Sequence, residues 1–297
     1  MPARAGSEQR AAGSEDDRVI APFGRRKSEV VANEASGGYR IVSALDPSGP
    51  LPRAGQFYML TGATGWGGAG ERPFLPRAFS VAEATEDSRG IRLSFLLEDV
   101  GPGTHALAAL SPGDGLLLTG PLGLPFSPPR ELNPDAAGAI LVGGGIGLAP
   151  LAIWRRELAA QGIPERSLLG FRDRMHSGGL ELFRCSEVRL ASEDGHAGHR
   201  GYVTDLLAVM LEGDAAESAA VYACGPPGML EAVRALCAER GVEAELAMES
   251  SMACGYGACF GCAMPLRDGG YMRLCVDGPV VRASAIETAL VKGSGHR

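Results

Sequence analysis

Four cysteines close to the C-terminus place the strongest constraint on what this chain can fold into. Cys254, Cys259, Cys262 and Cys275 follow the spacing C-x4-C-x2-C-x12-C, and the first three lie within the stretch CGYGACFGC. Structural zinc sites usually use two C-x2-C pairs, because two thiolates on one tight turn supply half of a tetrahedron. This chain has one C-x2-C pair. The additional C-x4-C arm therefore predicts a loop that wraps around a larger centre.

The spacing C-x4-C-x2-C…C is that of the plant-type [2Fe–2S] ligand set. Gly255, Gly257 and Gly261 allow the backbone to approach closely and to aim N–H groups at sulfur atoms, which stabilises negative charge. The sequence therefore favours a [2Fe–2S] cluster on the four thiolates. A zinc ion and a thiol cluster without metal are the alternatives.

The composition argues against several kinds of partner. The 297 residues suffice for about two domains, and the net charge of −7 argues against nucleic acid or an anionic membrane surface as partner. Seven cysteines, four of them clustered, do not fit a disulfide framework and favour a reducing, cytoplasmic compartment. No apolar run is long enough to span a membrane. Residues 1–18 lack the apolar core of a secretory signal and predict a disordered tail.

Residues 19–130 predict a small β-barrel. The run IRLSFLLE alternates with period two from Ile91 to Leu97, as in a half-buried strand. Four more short runs are bounded by turn residues: GYRIVSAL, GQFYMLTG, RAFSVAEA and GLLLTGPLG. Short strands in this density are typical of a barrel. Residues 62–76 are rich in glycine and predict a long, mobile loop.

Residues 136–248 predict an α/β domain. The candidate strands are AILV, SLLGF, VRLAS, AAVYA and VEAELAM, and between several of them lie the helical patterns APLAIWRRELAAQ, VTDLLAVML and PGMLEAVRALCAER. This alternation predicts a parallel sheet with covered faces. Residues 249–297 hold the four cysteines and many glycines, and they predict a small third module organised by its metal centre.

Three loops are expected at the carboxyl edge of this sheet, where open α/β sheets bind their ligands. LVGGGIGLAP places Gly144, Gly145 and Gly147 at a helix N-terminus, which attracts phosphate. CGPPGML repeats the arrangement with Cys224 and Gly225, and GFRDR follows a third strand. The strand VEAELAM ends at the same edge and runs into the cysteine loop within five residues. The metal centre is therefore expected beside a nucleotide site.

A nicotinamide gives two electrons as hydride, whereas an iron–sulfur cluster takes one at a time. A carrier must convert between them, and a flavin is the usual one. The barrel is expected to hold it. RAFS (77–80) presents an arginine, an aromatic ring and a hydroxyl on one strand, and GPGTHALAAL (101–110) places Gly103 and Thr104 at a helix start, a second site suited to phosphate.

The motifs GQF, RAFS, GPGT, GPLG, GGGIGLAPL, CGPPGML and CGYGACFGC with Cys275 occur in this order over residues 55–275. In this respect the chain resembles the ferredoxin–NADP reductase superfamily and, within it, the electron-transfer subunits of NAD-dependent dihydroorotate dehydrogenases. The resemblance implies a fold of a β-barrel plus an α/β unit: a ferredoxin reductase-like barrel that binds FAD, a parallel-sheet nucleotide-binding domain that meets NADH, and a small C-terminal [2Fe–2S] module.

The resemblance also implies residue roles. Those assigned to the flavin are Arg77, Ala78, Phe79, Ser80, Leu96, Leu97, Glu98, Gly103 and Thr104. Those assigned to the nucleotide are Gly144, Gly145, Gly147, Cys224 and Gly225. The family usually has proline where Ala78 stands, a modest change, and often arginine where Glu98 stands. Glu98 removes a positive charge expected near a phosphate.

The expected function is that of an oxidoreductase subunit that passes electrons from NADH through FAD and the [2Fe–2S] cluster to a partner. The resemblance implies that this partner is an FMN-containing dihydroorotate dehydrogenase catalytic subunit of pyrimidine biosynthesis. No catalytic acid or base is expected on this chain, because the cofactors carry the chemistry. One alternative is a subunit of the ferredoxin–NADP reductase or sulfide dehydrogenase type with another partner. The other is a zinc-stabilised module without a redox role.

The choice between NADH and NADPH stays open on the residues alone. Asp173 favours NADH, because a carboxylate suits a ribose hydroxyl. Arg172 and Arg174 favour the additional phosphate of NADPH.

Overall fold

The computed structural model describes residues 24–67, 73–184, 187–212 and 218–290. The tail predicted at 1–18, part of the Gly-rich loop predicted at 62–76, Cys185 and the last seven residues lie outside the described residues.

Six antiparallel strands close into a barrel, with the neighbour order β1-β2-β5-β4-β3-β6. The strands are β1 Arg26–Ser36, β2 Tyr39–Asp46, β3 Phe57–Gly62, β4 Arg77–Asp87, β5 Gly90–Glu98 and β6 Gly115–Leu122, and a short helix α1 (Pro102–Ala108) follows β5. Pairing of β1 with β6 closes the ring, so neither strand is left as an open edge. The predicted barrel is confirmed.

Strand β1 was not predicted, because two of its inward-facing residues are polar. Arg26 and Ser28 are buried between exposed Lys27 and Glu29, so the usual apolar alternation is absent at the start of the strand. The Arg26 guanidinium donates to Asp46 at 2.7 Å and to the carbonyl oxygen of Gly120 at 2.6 Å. These partners let the charge remain inside the barrel, as a buried ion requires.

The second half of the molecule is a seven-stranded sheet of order β10-β9-β8-β7-β11-β12-β15, flanked by helices, and its last strand, β15 Val280–Arg282, comes from the cysteine-bearing segment. In chain order its elements are α2 Pro129–Leu132, β7 Gly138–Gly144, α3 Leu148–Ala160, β8 Glu165–Phe171, β9 Val188–Ser192, β10 His199–Arg200, α4 Val203–Met210, β11 Ala219–Cys224, α5 Pro227–Arg240 and β12 Ala244–Ala247. All neighbouring strands from β10 to β12 are parallel. The predicted parallel sheet is confirmed.

Helices cover both faces of this sheet. On one face Leu141 and Leu169 share a core with Trp154 of α3 and with the barrel interior. On the other face Val142 packs in a core with Leu207 of α4 and other residues of α4 and α5. Alternate residues of one strand thus belong to different cores, as the period of a strand requires. Helix α3 therefore lies between the sheet and the barrel.

Polar contacts also join α3 to the barrel. Arg156 pairs with Glu83 of β4, and the Glu157 carboxylate accepts a hydrogen bond from the backbone N–H of Ala54 at 2.6 Å. Burial raises the pKa of Glu157 above its usual range. Helix α3 is therefore fixed to both the sheet and the barrel.

The cysteine-bearing segment is attached to both other parts. It contains β13 Ala263–Pro265, β14 Tyr271–Arg273, α6 Leu274–Asp277 and β15 Val280–Arg282. Strand β15 pairs antiparallel with β12 and completes the nucleotide-domain sheet, and Pro279 bridges to Leu124 beyond the barrel. The segment was expected as a separate module, but its last strand belongs to the large sheet. Within the described ranges, none of the helices combines the length and apolar composition that a bilayer crossing requires.

Candidate cofactor and cluster site

Strands β7, β8, β11 and β12 are parallel and end at one edge of the sheet, at Gly144, Phe171, Cys224 and Ala247. The loops singled out in the sequence leave from these ends. Their predicted meeting at the carboxyl edge is therefore confirmed.

A cavity of about 480 Å³ separates this edge from the barrel. Barrel residues form one wall, the loops after β7 and β11 form the second, and residues 247–252 form the third. The sequence-predicted residues that line it are Arg77, Ala78, Phe79, Ser80, Leu96, Glu98, Thr104, Gly147 and Cys224. Residues of both predicted binding sites thus face one space.

Two of the residues assigned to the flavin do not line the cavity. Leu97 lies on the other side of β5 from Leu96 and Glu98, and it is buried in the barrel core. Gly103 lies beneath Arg77, where a Cβ atom would come within 2.5 Å of the arginine Nε. Gly103 therefore makes room for the guanidinium that stands at the cavity wall.

Arg77 is held at the rim by its neighbours. Its Nη1 donates to the carbonyl oxygen of Leu75 at 2.6 Å, and its Cζ lies 5.9 Å from the ring centroid of Trp66. Trp66 was not predicted as a site residue; the only sequence signal was an aromatic residue inside a Gly-rich loop. A guanidinium fixed in this way is suited to a phosphate group.

The turn at the start of α1 is fixed by Thr104. Its hydroxyl oxygen accepts hydrogen bonds from the backbone N–H groups of Val100 and Gly101, each at 2.9 Å. Thr104 therefore shapes the backbone of the predicted pyrophosphate site as well as lining the cavity.

Most glycines of the nucleotide loops serve close packing. A Cβ atom on Gly147 would lie 2.5 Å from the carbonyl carbon and oxygen of Cys224. A Cβ on Gly144 would lie 2.5 Å from the sulfur of Met229, and one on Gly225 would lie 3.0 Å from the backbone of Gly144. The loops after β7 and β11 therefore touch, and of these three glycines Gly147 lines the cavity.

Gly145, the remaining predicted glycine, faces the barrel, where a Cβ would lie 3.4 Å from the hydroxyl of Tyr39.

Cys224 places a neutral thiol at the cavity wall. Burial raises its pKa well above the usual range, and the nearby carboxylate of Glu249 acts in the same direction. The thiol thus stays protonated near neutral pH. Glu249 itself also lines the cavity.

Hydrogen bonds between its own residues hold the loop after β8 in shape. Asp173 accepts hydrogen bonds from the backbone N–H and the Nδ1 of His176, at 3.1 and 2.6 Å, and from Nε of Arg172 at 3.2 Å. These contacts, the side-chain hydrogen bond from His176 above all, lower the pKa of Asp173 to about 2. His176 also lies 3.5 Å from Glu98. His176 was not singled out in the sequence; the three-residue Asp–His spacing was the available signal.

The four cysteines meet as two pairs. The sulfur atoms of Cys262 and Cys275 are 3.2 Å apart, and Cys254 is hydrogen bonded to Cys259. Cys262 and Cys275 are buried, Cys254 is half-buried and Cys259 is exposed. Each pair corresponds to one part of the sequence motif. The C-x4-C arm supplies Cys254 and Cys259, and Cys262 pairs with the distant Cys275.

Backbone N–H groups surround the sulfurs. Gly257 donates to Sγ of Cys275 at 3.1 Å, and the N–H of Cys275 donates to Sγ of Cys262 at 3.4 Å. Burial raises the pKa of Cys254, but backbone N–H groups of the loop, beginning with that of Cys259, outweigh it and bring the pKa to about 6. Burial and the neighbouring Cys262 raise the pKa of Cys275 to about 12.

This arrangement fits a two-metal cluster better than a single ion. Among the described residues, no three side chains of His, Cys, Asp or Glu converge where one metal ion could bind. A tetrahedral zinc site needs four ligands around one point. Two separate pairs of thiols with N–H donors instead suit a [2Fe–2S] cluster, which the four cysteines would hold.

The cavity leads directly to the cysteine loop. Met252 lines the cavity and Cys254 follows two residues later, a separation of at most about 7 Å along an extended chain. A second cleft of about 860 Å³ lies between three of these cysteines and the barrel strands β3 and β6. Leu75 and Pro76 line both clefts, so the nucleotide edge, the barrel wall and the thiols adjoin one another.

Family comparisons agree with this geometry. Residues 249–287 match the model of the iron–sulfur cluster binding domain of dihydroorotate dehydrogenase B, and residues 173–235 match that of the oxidoreductase NAD-binding domain. The dihydroorotate dehydrogenase B (NAD(+)) electron transfer subunit of Caldanaerobacter subterraneus subsp. tengcongensis is 32% identical over 88% of this chain and 98% of its own length. The chain belongs to this family.

A second relative supports the assignment, and a solved structure shows the fold. The corresponding subunit of Bacillus caldolyticus is 36% identical over 72% of this chain and 80% of its own length. The structure of an NADH-dependent reduced ferredoxin–NADP oxidoreductase superposes with a TM-score of 0.73 at 23% identity, over 90% of this chain and 92% of that one. The latter likeness shows the fold.

Membership of the family confirms several predictions from sequence. The chain is an oxidoreductase electron-transfer subunit with a ferredoxin reductase-like fold, an NAD-binding domain and an iron–sulfur cluster binding domain. The family also implies a catalytic partner subunit.

Proposed function

We propose that this chain connects NADH, through FAD and the [2Fe–2S] cluster, with an FMN-containing dihydroorotate dehydrogenase subunit of cytoplasmic pyrimidine biosynthesis, without membrane or nucleic-acid partners. The observation that carries the proposal is the closeness of the cavity to the cysteine loop, because Met252 lines the cavity and Cys254 follows two residues later. Oxidation of dihydroorotate releases two electrons, so with that substrate the same carriers reduce NAD+. With orotate as acceptor they oxidise NADH.

The barrel wall has the groups that FAD requires. Arg77, fixed at the rim by Leu75 and Trp66, supplies positive charge for the pyrophosphate, and the turn held by Thr104 supplies backbone N–H groups beside it. Phe79 offers an aromatic face and Ser80 a hydroxyl at the cavity. FAD, when bound, supplies the conversion between a two-electron hydride and single electrons.

The nucleotide wall is suited to a neutral nicotinamide ring. The Cys224 thiol is uncharged, and its raised pKa keeps it so over the physiological range. Gly147 lets the two nucleotide loops close on each other and leaves the cavity open above them. The residues orient the ring, and none needs to gain or lose a proton.

The cysteine loop offers an exit toward a partner. Cys259 is exposed, and around this loop Tyr256, Phe260 and Tyr271 are 58%, 63% and 77% exposed. Exposed aromatic side chains are typical of protein interfaces. We infer that the FMN-containing subunit docks on this aromatic surface.

The test is coexpression with the dihydroorotate-oxidising subunit, followed by anaerobic assay of the purified complex. Dihydroorotate with NAD+ should give orotate and NADH in equal amounts, and NADPH should replace NADH poorly in the reverse direction. Y256A and Y271A should weaken the complex by about tenfold or more each, as interface aromatics do. Y202A, which removes an equally exposed tyrosine on the nucleotide domain, should leave affinity unchanged. A complex that forms but does not oxidise dihydroorotate would refute the proposed partner.

A further inference from the structure

Arg273 connects the two arms of the cluster site. It lies on β14 two residues before Cys275, while the other three cysteines lie on the loop 254–262. Its Nη1 donates to the carbonyl oxygen of Gly257 in that loop at 3.3 Å. One arginine on the Cys275 arm therefore holds the backbone of the other arm.

Gly257 in turn donates a hydrogen bond to one of the predicted cluster ligands. Its N–H donates to Sγ of Cys275 at 3.1 Å. Its φ of +83° lies in the left-handed region, and a Cβ there would approach Val276 Cγ2 to 2.7 Å and Arg273 Nη1 to 3.1 Å. The glycine is thus clamped between Arg273 and the Cys275 arm, with its N–H aimed at the sulfur.

A third contact holds the guanidinium in place. The Cζ of Arg273 lies 5.4 Å from the ring centroid of Phe260, which has a φ of +57° that L side chains rarely adopt. Asp277 accepts hydrogen bonds from the backbone N–H and the Nε of Arg273 at 3.0 and 3.5 Å. Phe260 and Asp277 therefore fix the direction in which Arg273 presents its charge.

We propose that Arg273 is a positioning residue that raises the reduction potential of the [2Fe–2S] cluster, by orienting the Gly257 N–H toward Cys275 and by placing a positive charge beside the loop. This inference rests on the proposed cluster site. Reduction adds negative charge to the cluster, and both a nearby cation and a hydrogen bond to sulfur stabilise that charge. Arg273 thereby helps the cluster to accept an electron from its donor.

The experiment is a redox titration of the full-length chain, loaded with cluster and FAD, followed by electron paramagnetic resonance. In R273Q the ratio of reduced to oxidised cluster, at the wild-type midpoint potential, should fall by about tenfold, the scale of one lost charge-assisted hydrogen bond. R273K keeps the charge but cannot both stack flat on Phe260 and reach Gly257. It should lower the ratio by about threefold and change the resonance line shape. R267Q is the matched control, because Arg267 lies in the same segment and donates to the Ile286 carbonyl.

Iron content and the visible spectrum separate the possible results. A wild-type ratio in iron-loaded R273Q, or an equal fall in R267Q, would overturn the inference and leave the proposed function intact. Should R273Q lose its iron, R273K decides: a wild-type ratio and line shape would overturn the inference, and the intermediate shift would support it. Wild-type protein that binds no iron would overturn the cluster site and this inference with it.

Discussion

Nε2 of His176 lies 3.5 Å from Oε1 of Glu98, so the loop after β8 and the barrel strand β5 meet beside the cofactor cavity. Asp173 binds the same imidazole from the other side at 2.6 Å. The loop is also attached to the β1–β2 turn, because the N–H of Gly38 donates to the Met175 carbonyl at 2.7 Å. Glu98 therefore joins the nucleotide loop to the barrel.

We expect E98A to raise the KM for NADH by about two- to fivefold with little change in kcat, because a partly exposed pair contributes up to about 1 kcal/mol. The measurement is steady-state reduction of an artificial acceptor, together with the FAD content. E83Q, which breaks the pair with Arg156 away from the cavity, is the control. Loss of FAD with an unchanged KM would show instead that Glu98 serves the flavin.

Gly147 should not tolerate a side chain. Its Cβ would lie 2.5 Å from the backbone of Cys224, which cannot move without separating the loops after β7 and β11. We expect G147A to destabilise the fold by about 1–3 kcal/mol, as overpacking does, and to weaken NADH binding. Thermal unfolding and NADH titration measure both effects.

The control for this substitution is G228A, in the first turn of α5. A Cβ there meets nothing within 4 Å, so G228A should be neutral or slightly stabilising. Equal changes in thermal stability and in NADH affinity in the two alanine variants would contradict the close-packing role of Gly147.

Substitution of Cys259 should remove the cluster without affecting the flavin. We expect C259S to lose cluster iron and electron delivery to the catalytic subunit, while FAD content and flavin reduction by NADH are retained. The control is C237A, which removes a buried thiol on α5. It should lower the free energy of unfolding by about 1 kcal/mol, as small truncations in a core do, and leave the iron in place. Iron content by chemical assay and absorbance spectra distinguish the variants. Full iron in C259S would contradict the assignment of this ligand.

Local spacing predicted the features that depend on short stretches of chain. The four cysteines, the three loops at the sheet edge and the RAFS strand all occupy the expected places, because each follows from periodicity or ligand spacing. Contacts between distant segments could not be predicted in this way. The pairing of His176 with Glu98 and the return of β15 to the sheet each join residues far apart in sequence.

Strand β1 shows a related limit. Arg26 and Ser28 face inward, and the charge of Arg26 is acceptable there because Asp46 and the Gly120 carbonyl bind the guanidinium. The pattern of apolar residues contains no information about such partners until the barrel has closed. Predictions from periodicity therefore fail where a buried polar group is satisfied by a distant strand.

Glu245 should make the stability of the fold depend on pH. It is buried on β12, and it accepts hydrogen bonds from the hydroxyl and the N–H of Ser127 at 2.6 and 2.9 Å.

Burial raises the pKa of Glu245 above its ordinary value of 4.5, although the Ser127 contacts oppose the shift. Because the folded state then binds the proton more tightly than the unfolded state, stability is greatest below the ordinary pKa and falls as pH rises through the raised one. E245Q removes this titration, and its altered hydrogen bonds carry a cost that does not vary with pH. We therefore expect the Tm of E245Q, relative to wild type, to increase from about pH 5 to about pH 8. Thermal unfolding of both proteins across this range measures it. A Tm difference that stays constant or shrinks with rising pH would show that Glu245 is charged at no cost to the fold.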